Sequence, residues 1–257
     1  MLMGPRVSAA IVLYHSGTRV LETVKCVQNS QERMELYIVD NSPEELTARR
    51  VLMECPEAII VNQKKNVGFG RGHNAVMQEL HSEYHLLLNP DITFAPDLVG
   101  RMVDFMEEHK EISILTPRVF NKDGTEQFLP RRAPTVRYLL GGRLGGHSRY
   151  FQRMRQEYTY EGTTLDVPME VQYATGCFLL IRTKLFYRLG GFDERYFLYH
   201  EDSDLSQKVL QMGGHIVYHP DFCVTHDWRR DSAHSLKALR CHVRSTIQYF
   251  NKWGWKW

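Results

Sequence analysis

The sequence has few of the features that mark secreted, redox-active or nucleic-acid-binding proteins. Its five cysteines are odd in number and scattered, with no CxxC pair. This spacing gives no disulfide framework or zinc site and predicts reduced thiols, as in a cytoplasmic protein. The 32 lysines and arginines nearly balance the 30 aspartates and glutamates, so the net charge of +2 gives no basis for binding nucleic acid.

Long apolar runs and internal repeats are also missing. The apolar run at residues 7–13 is too short for a signal peptide or a membrane span, so we expect neither export nor insertion into a bilayer. With 257 residues, 43% of them hydrophobic, the chain is long enough to bury a full core. We expect one domain over residues 1–230 and an appended C-terminal helix over 231–257.

The first half of the chain alternates short apolar runs with amphipathic stretches of helix length. Strands are predicted at residues 7–13, 36–39, 58–61, 86–88 and 112–115, and helices at 18–29, 44–54, 72–81 and 96–109. This alternation is typical of a parallel sheet with crossover helices and therefore of an α/β fold.

The second half is less regular. Residues 117–168 are rich in Gly, Pro and Arg, and we expect an insertion without core elements that is mobile or faces a substrate. Beyond it, we predict a strand-rich run at 171–182, helices at 184–189 and 204–212, strands at 216–218 and 222–225, and a terminal helix at 233–253.

Polar side chains follow the second and fourth predicted strands, where Asp40 with Asn41 and Asn89 with Asp91 stand. Ligands of open α/β sheets bind beyond the carboxyl ends of the strands. Asp40 is therefore a candidate to accept hydrogen bonds from a nucleobase or ribose, and Asp91 a candidate to hold a cation. Alternatively, both carboxylates only end strands or cap turns.

A second acidic group, Glu201, Asp202 and Asp204, stands at the start of a predicted helix. Acids in a first turn stabilise a helix electrostatically, so one interpretation is purely structural. The aromatic run at residues 196–199 instead predicts partial burial, which makes a carboxylate more basic and able to act on a hydroxyl. His226, at the end of a predicted strand, is either a metal ligand or an ordinary core histidine.

A glycine-rich stretch at residues 66–72 precedes another predicted helix. It is neither the dinucleotide fingerprint nor a P-loop. Arg71 at the start of that helix is a candidate to pair with a diphosphate or with Asp91.

Six segments carry a family resemblance through their order along the chain. They are residues 39–42, 66–70 with Asn74, 87–92, 175–182, 190–204, and His226. The ordered set resembles glycosyltransferase family 2, and particularly its bacterial rhamnosyltransferase-like branch, over residues 7 to about 253. The resemblance implies a GT-A fold, with a Rossmann-like, mostly parallel central sheet flanked by helices. It also implies a nucleotide-binding half at about 1–116 and an acceptor half at about 117–230.

The resemblance implies a role for each candidate residue. Asp202 is the expected general base, ahead of Asp204. Asp91 and His226 are the expected ligands of Mn²⁺ or Mg²⁺, although Asn89 replaces the first acid of the family's D-x-D motif. The expected donor-binding residues are Asp40, Asn41, Asn66, Gly68, Arg71, Asn74, Asn89 and Asp91, and the expected acceptor-binding residues are Gly176, Tyr199, Glu201 and Asp204.

The implied activity is transfer of a sugar from a nucleoside diphosphate to an acceptor hydroxyl, with inversion at the anomeric carbon. The resemblance favours a dTDP- or UDP-sugar donor, dTDP-L-rhamnose first, and a glycan or polyprenyl-diphosphate-linked acceptor used in cell-surface polysaccharide synthesis. One alternative is a sugar-1-phosphate nucleotidyltransferase, which needs a Gly- and Arg-bearing phosphate loop that residues 14–18 lack. The other is a catalytically inactive nucleotide-sugar-binding protein.

The C-terminal residues 240–257 mix basic and aromatic side chains. Tryptophan beside lysine is typical of a membrane interface, which predicts peripheral contact with the cytoplasmic face of the inner membrane. The alternative is a helix that packs its aromatic side chains on the protein core.

Overall fold

A computed structural model describes residues 4–144, 148–163, 165–228 and 236–257. Its strands are β1 (Val7–Leu13), β2 (Met34–Asp40), β3 (Ile59–Asn62), β4 (Tyr84–Leu88), β5 (Ile92–Phe94), β6 (Ile112–Phe120), β7 (Met169–Glu170), β8 (Phe178–Arg182) and β9 (His215–His226). Its helices are α1 (Val20–Gln28), α2 (Leu46–Glu54), α3 (Phe69–Asn74), α4 (Leu98–Glu108), α5 (Val136–Leu144), α6 (Arg149–Thr159), α7 (Thr183–Arg188), α8 (Glu201–Gln211) and α9 (Leu236–Trp253), with a short 3-10 helix at Met77–Glu79.

The strands of the described residues form one nine-stranded sheet in the order β3-β2-β1-β4-β8-β6-β9-β5, with β7 paired to β9. The pairs β1–β2, β1–β4, β2–β3 and β6–β9 are parallel, whereas β5, β7 and β8 run antiparallel to their neighbours. Most strands therefore point the same way, which confirms the predicted α/β fold with a mostly parallel central sheet. Strand order reverses between β1 and β4, so a crevice is expected beyond their carboxyl ends.

Both faces of the central strands are covered, which explains why their sequences are almost continuously apolar. In β1, Val7, Ala9 and Ile11 are fully buried in a cluster with α1 and α4. Ala10 points to the opposite cluster, which includes residues of α7 and α8. Because side chains pack on both faces, the central strands are held in place, and so are the positions at which they end.

Residues 117–168 depart most from the sequence prediction, since they contain core elements. Strand β6 continues to Phe120 and pairs with β9 as far as Thr225, and the helices α5 and α6 follow. The glycines of α5 concealed the helix, because glycine is a poor helix former. Gly141 is nevertheless required there, since a Cβ atom at this position would collide with Met154 of α6.

Smaller differences concern element boundaries. The helix predicted at 72–81 begins earlier and is interrupted, the strands predicted at 216–218 and 222–225 are one strand, and β5 was not predicted. Helix α8 begins three residues before its predicted start. The predicted start of the terminal helix, 233–235, lies outside the described residues. All five cysteines are free thiols, as predicted. Among the described helices, none has the length and apolar character needed to cross a bilayer.

Candidate functional site

The carboxyl end of β2 meets the glycine-rich loop at the point where strand order reverses. Asp40 is fully buried; its Oδ1 accepts a hydrogen bond from the amide of Ser42 at 2.8 Å, and its Oδ2 has no partner within the described residues. The side-chain amide of Asn41 donates to the carbonyl oxygen of Gly68 at 3.1 Å. A cavity of about 250 Å³ lies beside this end of the sheet and is lined by residues that include His15 and Arg50.

The loop at 66–74 is held mainly by contacts with residues 190–197. Gly68 has φ +93°, and a Cβ atom there would collide with the carbonyl oxygen of Phe197, so only glycine fits. Asn66 accepts from the amide of Gly68 at 2.9 Å. The side-chain amide of Asn74 both donates to and accepts from the backbone of Phe192, at 2.9 Å each. These hydrogen bonds give Asn66 and Asn74 a role in shaping the loop that does not depend on binding a donor.

Arg71 does not make its predicted contact with Asp91 in the described part of the chain. Its guanidinium is more than half exposed and lies 3.4 Å from the carboxylate of Glu194. The prediction placed Arg71 at the start of a helix, but α3 begins two residues earlier. The side chain therefore points towards the loop that follows α7.

Asp91 and His226 meet beyond the ends of β4 and β9. Oδ1 of Asp91 lies 3.2 Å from Nε2 of His226, and the side-chain amide of Asn89 lies 3.5 Å from the same nitrogen. The Asp91 and His226 atoms are close, yet Oδ1 of Asp91 is buried and has no hydrogen bond of acceptable geometry with any described residue. Register explains the approach, because β5 pairs Ile92 directly with His226.

Gln127 determines which nitrogen of His226 carries the proton. Its amide nitrogen donates to Oδ1 of Asn121 at 2.8 Å and to the carbonyl oxygen of His226 at 3.1 Å. The amide oxygen of Gln127 therefore faces Nδ1 of His226, at 3.1 Å. An acceptor at this position requires N–H at Nδ1, so a neutral His226 has its lone pair on Nε2.

The Asp91–His226 pair fits a divalent cation. When His226 is neutral, its Nε2 lone pair and a carboxylate oxygen of Asp91 face each other at 3.2 Å, an arrangement that is repulsive unless a proton or a metal ion stands between them. Neighbouring ligands of an octahedral ion bound at about 2.1 Å lie about 3 Å apart, close to this separation. The described residues contain no cluster of three or more His, Cys, Asp or Glu that could hold a metal ion. Of the described residues, these two side chains could ligate such an ion, and the rest of its shell would be left for a substrate or water.

Asp202 is the second residue of α8, and its carboxylate accepts three hydrogen bonds. Oδ2 accepts from the hydroxyl of Tyr173 at 2.9 Å and from the amide of Gly176 at 3.2 Å, and Oδ1 accepts from the amide of Ser203 at 2.8 Å. Burial raises the pKa of Asp202 above its usual range, although these hydrogen bonds oppose the change. The carboxylate is therefore both oriented and unusually basic for an aspartate.

Two residues, Gly176 and Cys177, connect Asp202 to the Asp91–His226 pair. The amide of Gly176 donates to Asp202, and the carbonyl of Cys177 accepts from the amide of Asn89 at 2.9 Å. The buried thiol of Cys177 has a pKa raised to about 12, mainly by burial and secondarily by the charge of Asp91, with a smaller contribution from Asp202. Both carboxylates therefore lie on the Cys177 side of the sheet end, near enough for their charges to affect this thiol.

The other two acids of the 201–204 motif are buried. Burial raises the pKa of Glu201 well above its usual range, and the charge of Asp202 adds to this effect. Tyr199, a predicted acceptor contact, packs its ring 5.3 Å from that of His242 in α9.

The structure does not support an acceptor contact for Asp204. Its side chain is fully buried, and Oδ1 lies 2.7 Å from Nζ of Lys252 and accepts from Nε1 of Trp253 at 2.8 Å. A carboxylate enclosed in this way cannot reach a bound substrate. Asp204 anchors α9 to α8.

We expect Asp204→Ala to destabilise the protein by about 1–3 kcal/mol, because it leaves the indole N–H of Trp253 without its acceptor and removes one of the two carboxylates that pair with Lys252. Urea unfolding followed by circular dichroism measures this loss. The exposed Asp221, changed to alanine, is the matched control, with an expected effect within about 0.5 kcal/mol. Equal stability of the two variants would contradict the anchoring role.

Sequence reasoning missed three residues of the site, Gln127, Arg131 and Tyr173. Gln127 and Arg131 lie in the stretch that was interpreted as an insertion without core elements. Tyr173 stands before β8 in a strand-rich run, where an aromatic residue is expected for packing alone. Isolated bridges pair Phe120 with Glu126 and Arg131 with Tyr173, and thus join the backbone beside these side chains to neighbouring segments.

Comparisons of the sequence with a family model and with curated proteins agree on one family. The family model described as glycosyl transferase family 2 matches residues 8–190. An N-acetylglucosaminyl-diphospho-decaprenol L-rhamnosyltransferase of Mycobacterium tuberculosis is 26% identical over 253 residues, covering 91% of this chain and 80% of that protein. The rhamnosyltransferase WbbL of Escherichia coli K12 is 27% identical over 192 residues, covering 71% and 69%.

Solved structures share the fold. GalNAc-T7 with UDP, GalNAc and Mn²⁺ superposes with a TM-score of 0.65 at 17% identity, covering 88% of this chain and 44% of that chain. The mannosyltransferase PcManGT of Pyrobaculum calidifontis, in complex with GDP-Man and Mn²⁺, has a TM-score of 0.63 at 16% identity, covering 98% and 64%. This chain thus spans less than half of the first of these structures and somewhat less than two thirds of the second.

Proposed function

The chain belongs to glycosyl transferase family 2, and we propose that it is a metal-dependent enzyme that transfers a sugar from a nucleoside diphosphate with inversion of configuration. The observation that carries the proposal is the placement of Asp202 beside the Asp91–His226 pair, linked through Gly176 and Cys177. An inverting transfer needs one base for the acceptor and one group that stabilises the leaving diphosphate, which are the two functions that these side chains supply.

Asp202 is the proposed general base. Its Oδ2 is fixed by Tyr173 and Gly176, and its raised pKa makes it a stronger proton acceptor than an exposed aspartate. It would take the proton of the acceptor hydroxyl as that oxygen attacks the anomeric carbon from the face opposite the diphosphate. Glu201 is less suited to this step, because its buried Oε2 has no hydrogen-bond partner among the described residues to orient it.

Asp91 and His226 would hold a divalent cation, Mn²⁺ or Mg²⁺, and Gln127 would orient the imidazole through its Nδ1 hydrogen. Such an ion, when bound, offsets the negative charge that develops on the departing diphosphate. Both solved relatives named above contain Mn²⁺, which supports a divalent metal in this chain. In this proposal Asp40 and Asn41 lie on the nucleoside side of the donor, in the nucleotide-binding half up to about residue 116.

The relatives by sequence point to the substrates. Two of them are named rhamnosyltransferases, and the mycobacterial protein acts on a diphospho-decaprenol-linked sugar. We therefore propose dTDP-L-rhamnose as the first donor to test and a lipid-diphosphate-linked glycan as acceptor, within cell-surface polysaccharide synthesis at the cytoplasmic face of the membrane. The nucleotidyltransferase alternative receives no support, because the matched family transfers glycosyl groups.

A panel of nucleotide sugars tests this proposal. With Mn²⁺ present, the correct donor should be hydrolysed slowly and should raise the unfolding temperature, since ligands that bind only the native state stabilise it. dTDP-L-rhamnose, UDP-glucose, UDP-GlcNAc and GDP-mannose form a sufficient panel. If none of them stabilises the protein with either metal, the proposed donor class is wrong.

Tyr173→Phe should move the acid limb of the pH profile of kcat/KM to higher pH. The Tyr173 hydroxyl donates to the charged form of Asp202, so its removal raises the pKa of the base further. The base is active only when ionised, and a higher pKa means that activity is lost at a higher pH as the solution is acidified. An unchanged acid limb would contradict the assignment of that limb to Asp202.

A further inference from the structure

A groove of about 770 Å³ runs between α5 and α9, beside the proposed acceptor side of the site. Most of its lining is apolar and comes from these two helices: Val136, Leu139 and Leu140 of α5, and Leu239, Val243 and Ile247 of α9. Its size and apolar character fall within the range of small-molecule sites. Nothing in the proposed chemistry of sugar transfer uses it.

Helix α9 has two apolar faces, and only one of them packs on the core. Tyr249 and Phe250 are buried against Tyr196 beside α8. Val243 and Ile247 lie one turn apart on the groove side, and they remain 48% and 44% exposed. A helix that needs only to cover a core has a polar outer face, so this second apolar face indicates a ligand.

Arg131 gives the groove a positive charge next to the base. Its guanidinium lies over the rings of Tyr158 and Tyr173, 5.5 and 5.7 Å from their centroids. Its Nε atom is buried and has no hydrogen-bond partner within the described residues. Because Tyr173 donates to Asp202, the part of the groove at Arg131 is the part nearest the base. Arg143 adds a second guanidinium to the lining.

We infer that this groove receives the isoprenoid chain of a lipid-diphosphate acceptor, with the diphosphate at Arg131. The inference rests on the proposed function, which supplies an acceptor sugar at Asp202. In a sugar–diphosphate–isoprenoid, the sugar, the anionic group and the apolar chain follow one another. The protein presents matching groups in the same order: the carboxylate of Asp202, the guanidinium of Arg131, and the apolar walls of α5 and α9.

Farnesyl diphosphate is a soluble probe that carries both features of this ligand. Its binding is compared with that of farnesol and of inorganic diphosphate by calorimetry, without divalent cations so that the donor site does not compete for diphosphate. We expect farnesyl diphosphate to bind at least about tenfold more tightly than either part alone, because one molecule then satisfies the charge and the apolar walls together.

Ile247→Glu places a carboxylate in the groove at a half-exposed position where the fold tolerates it. This substitution should weaken the binding of farnesyl diphosphate at least about tenfold and leave the binding of inorganic diphosphate unchanged. Arg131→Met should weaken the binding of both farnesyl diphosphate and inorganic diphosphate, and leave the binding of farnesol unchanged. Met53→Glu, on the 83% exposed side chain of Met53 in α2, is the matched control and should change nothing. Thermal unfolding establishes that each variant is folded.

Several results would overturn the inference. The first is equal affinity for farnesyl diphosphate and inorganic diphosphate, and the second is unchanged farnesyl diphosphate binding in Ile247→Glu. Vesicle flotation gives a third test, with phosphatidylglycerol–phosphatidylcholine vesicles. If the wild type floats with them and Ile247→Glu loses only this flotation, the apolar face of α9 binds the bilayer surface instead of a single ligand. A dimer that dissociates in the same variant would assign it to a second copy of the chain. Binding of dTDP and UDP with Mn²⁺, measured on the same variants, reports separately on the proposed function.

Discussion

Replacing Asp202 with asparagine should lower kcat by about 10²- to 10⁴-fold, the usual contribution of a positioned general base. Asparagine keeps the size of the side chain, and its amide oxygen can still accept from Tyr173 and Gly176. It has no basic carboxylate, so the acceptor hydroxyl keeps its proton as it attacks. Because Asp202 lies on the acceptor side, the affinity for the nucleotide should stay within about twofold of wild type.

The matched control is Asp104→Asn, which makes the same chemical change on α4, where the carboxylate is 68% exposed and lies 3.6 Å from Arg6. Its kcat and nucleotide affinity should equal those of the wild type. Steady-state transfer and calorimetry with the nucleoside diphosphate separate the two properties. Full activity in Asp202→Asn would remove the base assignment, and a large loss of nucleotide affinity would move Asp202 to the donor side.

Replacing Asp91 with alanine should abolish the metal-dependent part of donor binding. Loss of a second-sphere group commonly costs 10–100-fold in metal affinity, and loss of one of only two protein ligands should cost at least about that much. The affinity for dTDP or UDP should then be the same with and without Mn²⁺. His226→Ala should give the same result, because the two side chains share one ion in this account.

Calorimetric titrations of dTDP and UDP, each with Mn²⁺ and with EDTA, measure this effect. Asp104→Ala serves as the control and should retain the full difference between the two conditions. A metal-dependent difference that survives in Asp91→Ala would place the cation elsewhere. A difference lost in Asp91→Ala but kept in His226→Ala would leave the carboxylate as the only protein ligand.

The sequence was most informative where a residue's place along the chain also fixes its place in the fold, as at the end of a strand. Asp40 ends β2 and Asp91 stands three residues after the end of β4, so the rule that ligands bind at strand ends made both of them candidates. The fold class followed from the alternation of apolar runs and amphipathic stretches, because buried parallel strands must be apolar on both faces.

The sequence was least informative where residues far apart in the chain meet. The contact of Gln127 with His226 and that of Tyr173 with Asp202 depend on the register of β6, β9 and the segment before β8, which no local pattern encodes. Asp204 shows that a local motif can also suggest a contact that the fold does not allow. Its position in an acidic motif predicted a substrate contact, but the lysine and tryptophan that enclose it come from a helix that begins more than thirty residues later.

The central claim is that Asp91 and His226 jointly hold a divalent cation on the donor side of the site. Anomalous diffraction at the manganese edge, from crystals grown with Mn²⁺ and dTDP or UDP, tests it most directly. The account predicts one strong peak within about 2.3 Å of both Oδ1 of Asp91 and Nε2 of His226. A manganese peak bound to the nucleotide but remote from these two atoms would contradict it.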